Sequence, residues 1–425
     1  MRCPLPVLAF LVLILSPARG VCAGIPLDVH GFWEARGGVR LQDDKHERDV
    51  SLAETRLQVD LARDLDLGTV RLRADFLYDD QAGSHDINLE EGKGWLDVRE
   101  ANVLLYPLED LDLKVGRQIL TWGTGDLVFL NDLFPKDWVS FLLGRDDEYL
   151  KAPSDAVKAS FFSPMANLDV VYTPRFDVDR FISGERLSYW SNTMGEIVGR
   201  NAVVRTETPD EWFTDDEFAV RLFKNIEGYE SALYAYLGYW KSPAGEAPQS
   251  QKALFPALSV YGASLRGNFW KGIGNAEAAY YDSRDDRGGD DPFVRNSEMR
   301  FLIGYEQELV TDLTIGLQYY LEYMSDHGAY VRTLLLGVPP KDEDRHVVTI
   351  RLTRLLMNQD LKLSLFAFIS PSDEDAYLRP KVYYRFNDNW SSEIGANVFL
   401  RSEDPTFFGQ FWKNSNMYFA VRYGF

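Results

Sequence analysis

The run DSRDDRGGDD (282–291) sets Asp282, Asp285, Asp286, Asp290 and Asp291 close together. Clustered carboxylates are hard oxygen ligands of the kind Ca²⁺ takes, but the spacing lacks the central glycine and closing glutamate of an EF-hand loop. The expectation is a solvated acidic loop and no cofactor, with weak Ca²⁺ binding as the alternative. Covalent chemistry is poorly served. The cysteines are Cys3 and Cys22, so the chain beyond them holds no disulfide, thioether-linked haem, iron–sulfur cluster or thiol nucleophile. His30, His46, His85, His327 and His346 are not spaced as metal ligands. There is no G-x-S-x-G, and the GTG at 123–125 is followed by no lysine that could serve a phosphate. An enzyme is not expected. What remains is charge: Arg379, Lys381 and Arg385 fall on one face of an alternating segment, and Arg351 lies on a segment nearby. Such a group either meets an anionic solute in a water-filled passage or joins a lattice of salt bridges. The lattice is the commoner outcome.

These residues sit in a chain dominated by alternation. SLAETRLQVDL puts Ala53, Thr55, Leu57, Val59 and Leu61 on one face and Glu54, Arg56, Gln58 and Asp60 on the other. TVRLRADFLY and DLTIGLQYYLEY repeat the pattern, the former setting Arg71 and Arg73 opposite Val70 and Leu72. Period two means strands with one apolar and one polar face, and segments of about ten residues suit tilted strands crossing a bilayer. Tight connections (64–68, 108–112, 163–169, 225–230, 356–360, 386–390) alternate with long polar ones (40–49, 79–94, 123–154, 174–214, 241–256, 283–296, 325–345). That rhythm predicts an all-β, up-and-down antiparallel transmembrane barrel. The count is about 18 strands, or 16 if a pair near 156–176 or 276–306 is misread.

Other features agree. Arg2, an apolar run from Leu5 to Leu15 and the sequence VCAG describe a secretory signal peptide over 1–23, leaving 24–425 as one barrel domain. Trp33, Tyr78, Tyr106, Trp122, Tyr239, Trp240, Trp270 and Trp390 fall near strand ends, as interfacial girdles require. With 45 basic against 65 acidic residues the net charge is −20, which argues against nucleic acid as a partner. Inward basic residues (among them Arg36, Arg56, Lys114, Arg300 and Arg422) nearly balance inward acids such as Glu34, Glu54, Asp75, Glu277 and Glu393, so the acidic excess belongs to the loops.

The terminus NMYFAVRYGF places Phe419, Val421, Tyr423 and Phe425 on one face. It resembles the assembly signal of outer-membrane β-barrels, which implies a Gram-negative outer-membrane location. The partners implied are membrane lipid, lipopolysaccharide and the barrel-assembly machinery. The third long loop, apolar and aromatic, resembles the infolded constriction loop of general porins. That assigns Arg117, Trp122, Asp126, Asn131, Asp132, Asp137 and Trp138 to the constriction and Arg71, Arg73, Arg351, Arg379, Lys381 and Arg385 to the lumen. A short helix is expected in PKDWVSFLLG, with Pro135 in its first turn and Gly144 closing it. GRQ followed by WG (Arg117, Gln118, Trp122, Gly123) and the closing PTFFGQFWKNSNMYFAVRYGF resemble alginate-export-like and related outer-membrane barrels. Those exporters line their pore with arginines for an anionic polymer; here acids match the basic residues. The reading is a channel for passive passage of small polar or charged solutes. Its rivals are an exporter of an anionic polysaccharide and a barrel sheath around a secretion or electron-transfer partner.

Overall fold

A computed structural model describes residues 28–425, so the signal-peptide expectation lies outside the described residues. The strands are β1 (Asp28–Arg40), β2 (Val50–Leu65), β3 (Gly68–Asp79), β4 (Leu96–Leu108), β5 (Leu111–Ile119) and β6 (Pro153–Phe161). They continue as β7 (Asn167–Thr173), β8 (Glu217–Ile226), β9 (Tyr229–Tyr239), β10 (Ala257–Phe269), β11 (Gly272–Ser283) and β12 (Glu298–Val310). The last six are β13 (Leu313–Met324), β14 (Asp344–Leu356), β15 (Leu361–Ser370), β16 (Asp375–Arg385), β17 (Trp390–Leu400) and β18 (Asn416–Gly424). Each pairs antiparallel with its neighbours, and β18 pairs with β1 to close an 18-stranded barrel. Both strand pairs whose existence the sequence left open, β6–β7 and β11–β12, are present.

The strand phases divide the side chains as the alternation predicts. Leu72, Phe76, Leu233, Leu237, Tyr261, Ile303, Leu317, Ile394 and Phe419 are exposed on the outer wall. A water-soluble surface does not carry so continuous an apolar belt. Among the described residues no helix is long and apolar enough to cross a membrane. A closed sheet that satisfies its own backbone while presenting hydrocarbon outward is the other way to cross. The even strand number, short turns at one rim and long loops at the other are the architecture of a bacterial outer-membrane barrel.

Two girdle assignments need correction. Trp122 and Trp240 are buried inside the barrel, because Trp122, three residues past β5, and Trp240, directly after β9, turn inward with their loops. Tyr78, Tyr106, Trp270 and Trp390 are exposed, as a girdle requires.

The barrel seam explains the chain's last residue. Gly31 N–H donates to the Phe425 carbonyl at 3.1 Å, and Phe425 N–H donates to the Gly31 carbonyl at 3.0 Å. A side chain at Gly31 would collide with the Phe425 ring, 2.8 Å from where its Cβ would lie. Deleting Phe425 removes the final rung of the seam and its outward ring. The expected result is a marked loss of assembled barrel, read as the fraction of chain showing heat-modifiable mobility on gels. Normal assembly of the truncated chain would contradict this.

Candidate functional site

Loop 3 (120–152) does not stay at the rim. Its short helix α1 (Trp138–Leu143) begins at Asp137, whose carboxylate accepts from the Ser140 N–H at 2.7 Å. Asp137 therefore caps the helix and Pro135 lies before it, not in its first turn; the proline's carbonyl instead accepts from the Ala152 N–H at 3.0 Å. Gly144 closes the helix with φ 89°, a left-handed conformation that glycine adopts without penalty. Any Cβ there would strike the ring of Tyr418.

The loop is held across the whole lumen. At its start the Glu277 carboxylate of β11 accepts from the Gly125 N–H and the Thr124 hydroxyl, each at 2.8 Å, from the Thr124 N–H, and from Asn131 Nδ2 at 2.7 Å. Gln318 of β13 makes two bonds with the Asp126 backbone, at 2.7 and 2.9 Å. Tyr281 donates its hydroxyl to the Leu130 carbonyl at 2.6 Å. Further along, Arg36 of β1 donates to the Gly144 carbonyl at 2.6 Å, and Arg145 forks onto Glu54 of β2. Between these anchors Leu130, Phe134, Phe141, Leu142 and Leu143 are buried against inward rings of the wall. Phe141 stands edge-on to Phe368 and Tyr377, with the Arg379 guanidinium 4.1 Å from its ring centre. The apolar loop finds an aromatic inner wall, so the interior near the loop rim is a packed core.

The residues assigned from sequence fall into three groups. Asn131, Asp132, Asp137 and Arg117 are buried and hold the loop or its neighbours, and Asp137 also borders the larger cavity described below. Asp132 accepts from Thr121 and Lys136, and Arg117 braces Asp155 and the carbonyls of Val98 and Leu89. Most polar groups at this depth are satisfied by the chain itself, although the buried Asn131 Oδ1 has no hydrogen-bond partner among the described residues. Trp122 packs edge-on against Phe134, while the Trp138 indole N–H donates to Asp179 of loop 4 (174–216) at 3.0 Å. The second group is the basic wall of β14, β16 and β18, and loop 3 carries partners for three of its cations. Arg351 pairs with Asp126, Arg379 with Asp147 at 2.7 Å, and Arg422 lies 3.4 Å from Asp146. Lys381 pairs with Glu393 and Arg385 with Asp360. These cations form the paired lattice that was the commoner expectation. The third group is Arg71 and Arg73. Both reach Asp60 and Glu100, yet both keep part of their surface free along a cavity of about 320 Å³.

That cavity is also lined by Gln58, Arg99, Glu100, Ile119 and residues 147–149 and 151. A larger one of about 880 Å³ lies above it among loop 2 (80–95), loop 4 and α1. Arg56, Arg99, Tyr149 and Arg180 stand between the two; sequence placed Arg56 on the inward face but did not single out the other three. Tyr149 sits inside an acidic run and Arg180 inside a long loop, where periodicity carries no signal.

Carboxylates gather at one further place. Glu90, Asp155 and Asp177 each bring an oxygen within 4.8 Å of the others, a spacing that suits a cation. Arg175 pairs with Glu90 and Arg117 with Asp155. Asp177, in loop 4, is buried, and burial together with the negative Glu217 pushes its carboxyl up to about 7. The unfolded chain loses this proton near pH 4. Between about pH 4 and 7 the folded form keeps a proton that the unfolded form has lost, so stability falls as pH rises through that window and is level above it. Asp177→Asn retains an acceptor for the Ser154 hydroxyl and the Asp155 N–H, which lies 2.9 Å away. The variant is expected to be more heat-resistant than the parent at about pH 8, by on the order of 2–4 kcal/mol, with the advantage vanishing towards pH 4. Gel mobility after heating at each pH measures this.

No family model and no curated protein matches the chain. Solved structures do. Acinetobacter baumannii OccAB4 superposes with a TM-score of 0.56 at 10% identity, over 94% of this chain and 98% of that one. Acinetobacter baumannii OccAB1 gives 0.54 at 8% identity, over 94% and 95%. Pseudomonas aeruginosa OccK11 (OpdR) gives 0.53 at 10% identity, over 93% and 96%. The fold is that of an outer-membrane porin. At these identities the likeness speaks for the fold, and the alginate-export-like resemblance finds no counterpart among the structures named.

Proposed function

We propose that the chain is an outer-membrane channel that lets small polar or charged solutes pass down their gradient. The observation that carries this is the lumen: a closed lipid-facing barrel narrowed by its own third loop, with polar cavities left along β2–β4. Rings and rows of charge beside such a passage set which solutes enter. The reading invokes no cofactor and no catalytic step. Its partners are outer-membrane lipid, lipopolysaccharide and the barrel-assembly machinery, which would meet the closing strand with Phe419, Val421, Tyr423 and Phe425.

The purified protein in a planar lipid bilayer tests this directly. Discrete conductance steps are expected, together with solute-dependent swelling of proteoliposomes. A correctly folded barrel that carries neither ions nor sugars would sink the proposal. The GRQ and WG matches instead support export of an anionic polysaccharide. Against that reading stands the pairing of Arg351, Arg379 and Arg422 with loop 3 carboxylates, which leaves no free arginine track on that wall. Block of the current by an acidic polysaccharide would restore it.

A further inference from the structure

The two cavities lie on one line along the wall. Strand β3 contributes Arg71 and Arg73 to the lower one and Leu77 and Asp79 to the upper one. The inward residue between them, Asp75, is wholly buried. What buries it is one layer of side chains. Arg56 of β2 pairs with Asp75, and Gln58 donates to Asp75 at 2.9 Å and to the Tyr149 hydroxyl at 3.1 Å. The Tyr149 ring, from loop 3, is clasped by two guanidinium groups, Arg56 at 4.0 Å and Arg99 at 4.9 Å from its centre. Arg180 of loop 4 completes the layer by forking onto Asp97 with two bonds of 2.8 Å.

Two details separate this layer from an ordinary packed core. Strands β3 and β4 slip register between Arg73 and Ala74, leaving Arg99 with no partner opposite. A bulge of this kind re-aims a side chain, here towards the tyrosine. In addition, Arg56 Nε, Arg99 Nη1 and Arg180 Nε are buried without a hydrogen-bond partner among the described residues. Buried donors without acceptors penalise the closed arrangement and favour any state that admits water to them.

We infer that this layer is a septum across the conduit, and that Tyr149 is the side chain whose withdrawal joins the upper chamber to the lower one. The inference rests on the channel reading and deepens it by naming where the passage is shut. A solute enters between loops 2 and 4, meets the Arg56–Tyr149–Arg99 clasp, and leaves past Arg71 and Arg73. Cation–π contacts suit such a device: they hold a ring between two charges with little directional demand, and water entering the layer weakens them.

The full-length barrel in a planar bilayer provides the test. Tyr149→Ala is expected to raise single-channel conductance about twofold or more. Tyr149→Phe keeps the clasped ring and should stay near the parent value. A charged methanethiosulfonate reagent is then added on the loop side to barrels carrying one introduced thiol. Arg73→Cys, in the lower chamber, should react several-fold faster when combined with Tyr149→Ala. Ser84→Cys, in the upper chamber, should react at one rate in both backgrounds. General loosening of the barrel would speed both thiols alike, which counts against the septum. Unchanged conductance together with an unchanged Arg73→Cys rate overturns the septum and leaves the channel reading standing. If neither the parent nor the alanine variant conducts, the channel reading itself fails.

Discussion

Excising residues 126–148 is expected to raise single-channel conductance several-fold and to lower the temperature at which the barrel unfolds. The two effects share one cause. Those residues contain α1 and most of the apolar side chains that fill the lumen, including Leu130, Phe134, Phe141, Leu142 and Leu143. Ile119 and Pro153 are paired across β5 and β6, so the ends of the loop are already adjacent and a short connection can replace it. Once the loop is gone, the sides of Phe368, Tyr377 and Tyr418 that met Phe141 and Gly144 face water. Exposing a large apolar side chain costs about 1.5–3 kcal/mol. The ordering entropy that the loop no longer loses offsets part of this. The excision also takes the carboxylate partners away from Arg351 and Arg379, making that part of a paired wall basic, while Arg36 keeps Glu34 and Glu393. Selectivity should therefore move towards anions as conductance rises, read as a shift in reversal potential under a salt gradient. A folded excision variant with parental conductance would show that loop 3 does not constrict the passage.

Sequence reached the barrel because its signal is repeated in every strand. Alternation in β2, β3 and β13 gave two faces, and the even rhythm of connections gave the count. The terminal phase of Met417, Phe419, Val421, Tyr423 and Phe425 agrees with exposure on the outer wall for Met417, Phe419 and Phe425. The interior was less legible, because phase says which way a side chain points but not what it meets there. Tyr377, Phe399 and Tyr418 share the inward phase with Arg379 and Arg422, yet the rings bind the loop while the arginines carry its acids. Asp132 and Asp137 looked like groups for a solute because acids in a loop are usually wet. Burial of their own loop turned Asp132 into a staple and Asp137 into a helix cap that still borders the larger cavity. Tyr149 and Arg99 could not be paired from sequence, since one comes from an infolded loop and the other from a bulge. Contacts between distant segments decide both positions.

Glu277→Ala is the point substitution with the largest expected effect. The carboxylate is 4% exposed, and among the described residues it has no cation within salt-bridge distance. It serves instead as the acceptor for two backbone N–H groups, one hydroxyl and one side-chain amide of loop 3. Hydrogen bonds to an ionised acceptor are each worth more than neutral ones, about 1.5–3 kcal/mol. Removing the acceptor leaves the buried Asn131 amide unpaired, at about 1–3 kcal/mol, and the half-buried Thr124 and Gly125 donors unpaired at less, because water can reach them. The start of the loop should then detach from β11, while the far anchors at Arg36 and Glu54 hold. The expected result is a barrel that still assembles but is destabilised by a few kcal/mol, about 2–4, with new protease cleavage between 120 and 135 and noisier current. Glu277→Gln keeps one acceptor oxygen but turns an amide N–H₂ towards Asn131 or towards the backbone donors, so it should fall between parent and alanine. Equal protease resistance in all three proteins would mean that the loop is held by its apolar packing alone, and that the four bonds to Glu277 only replace bonds that water would make.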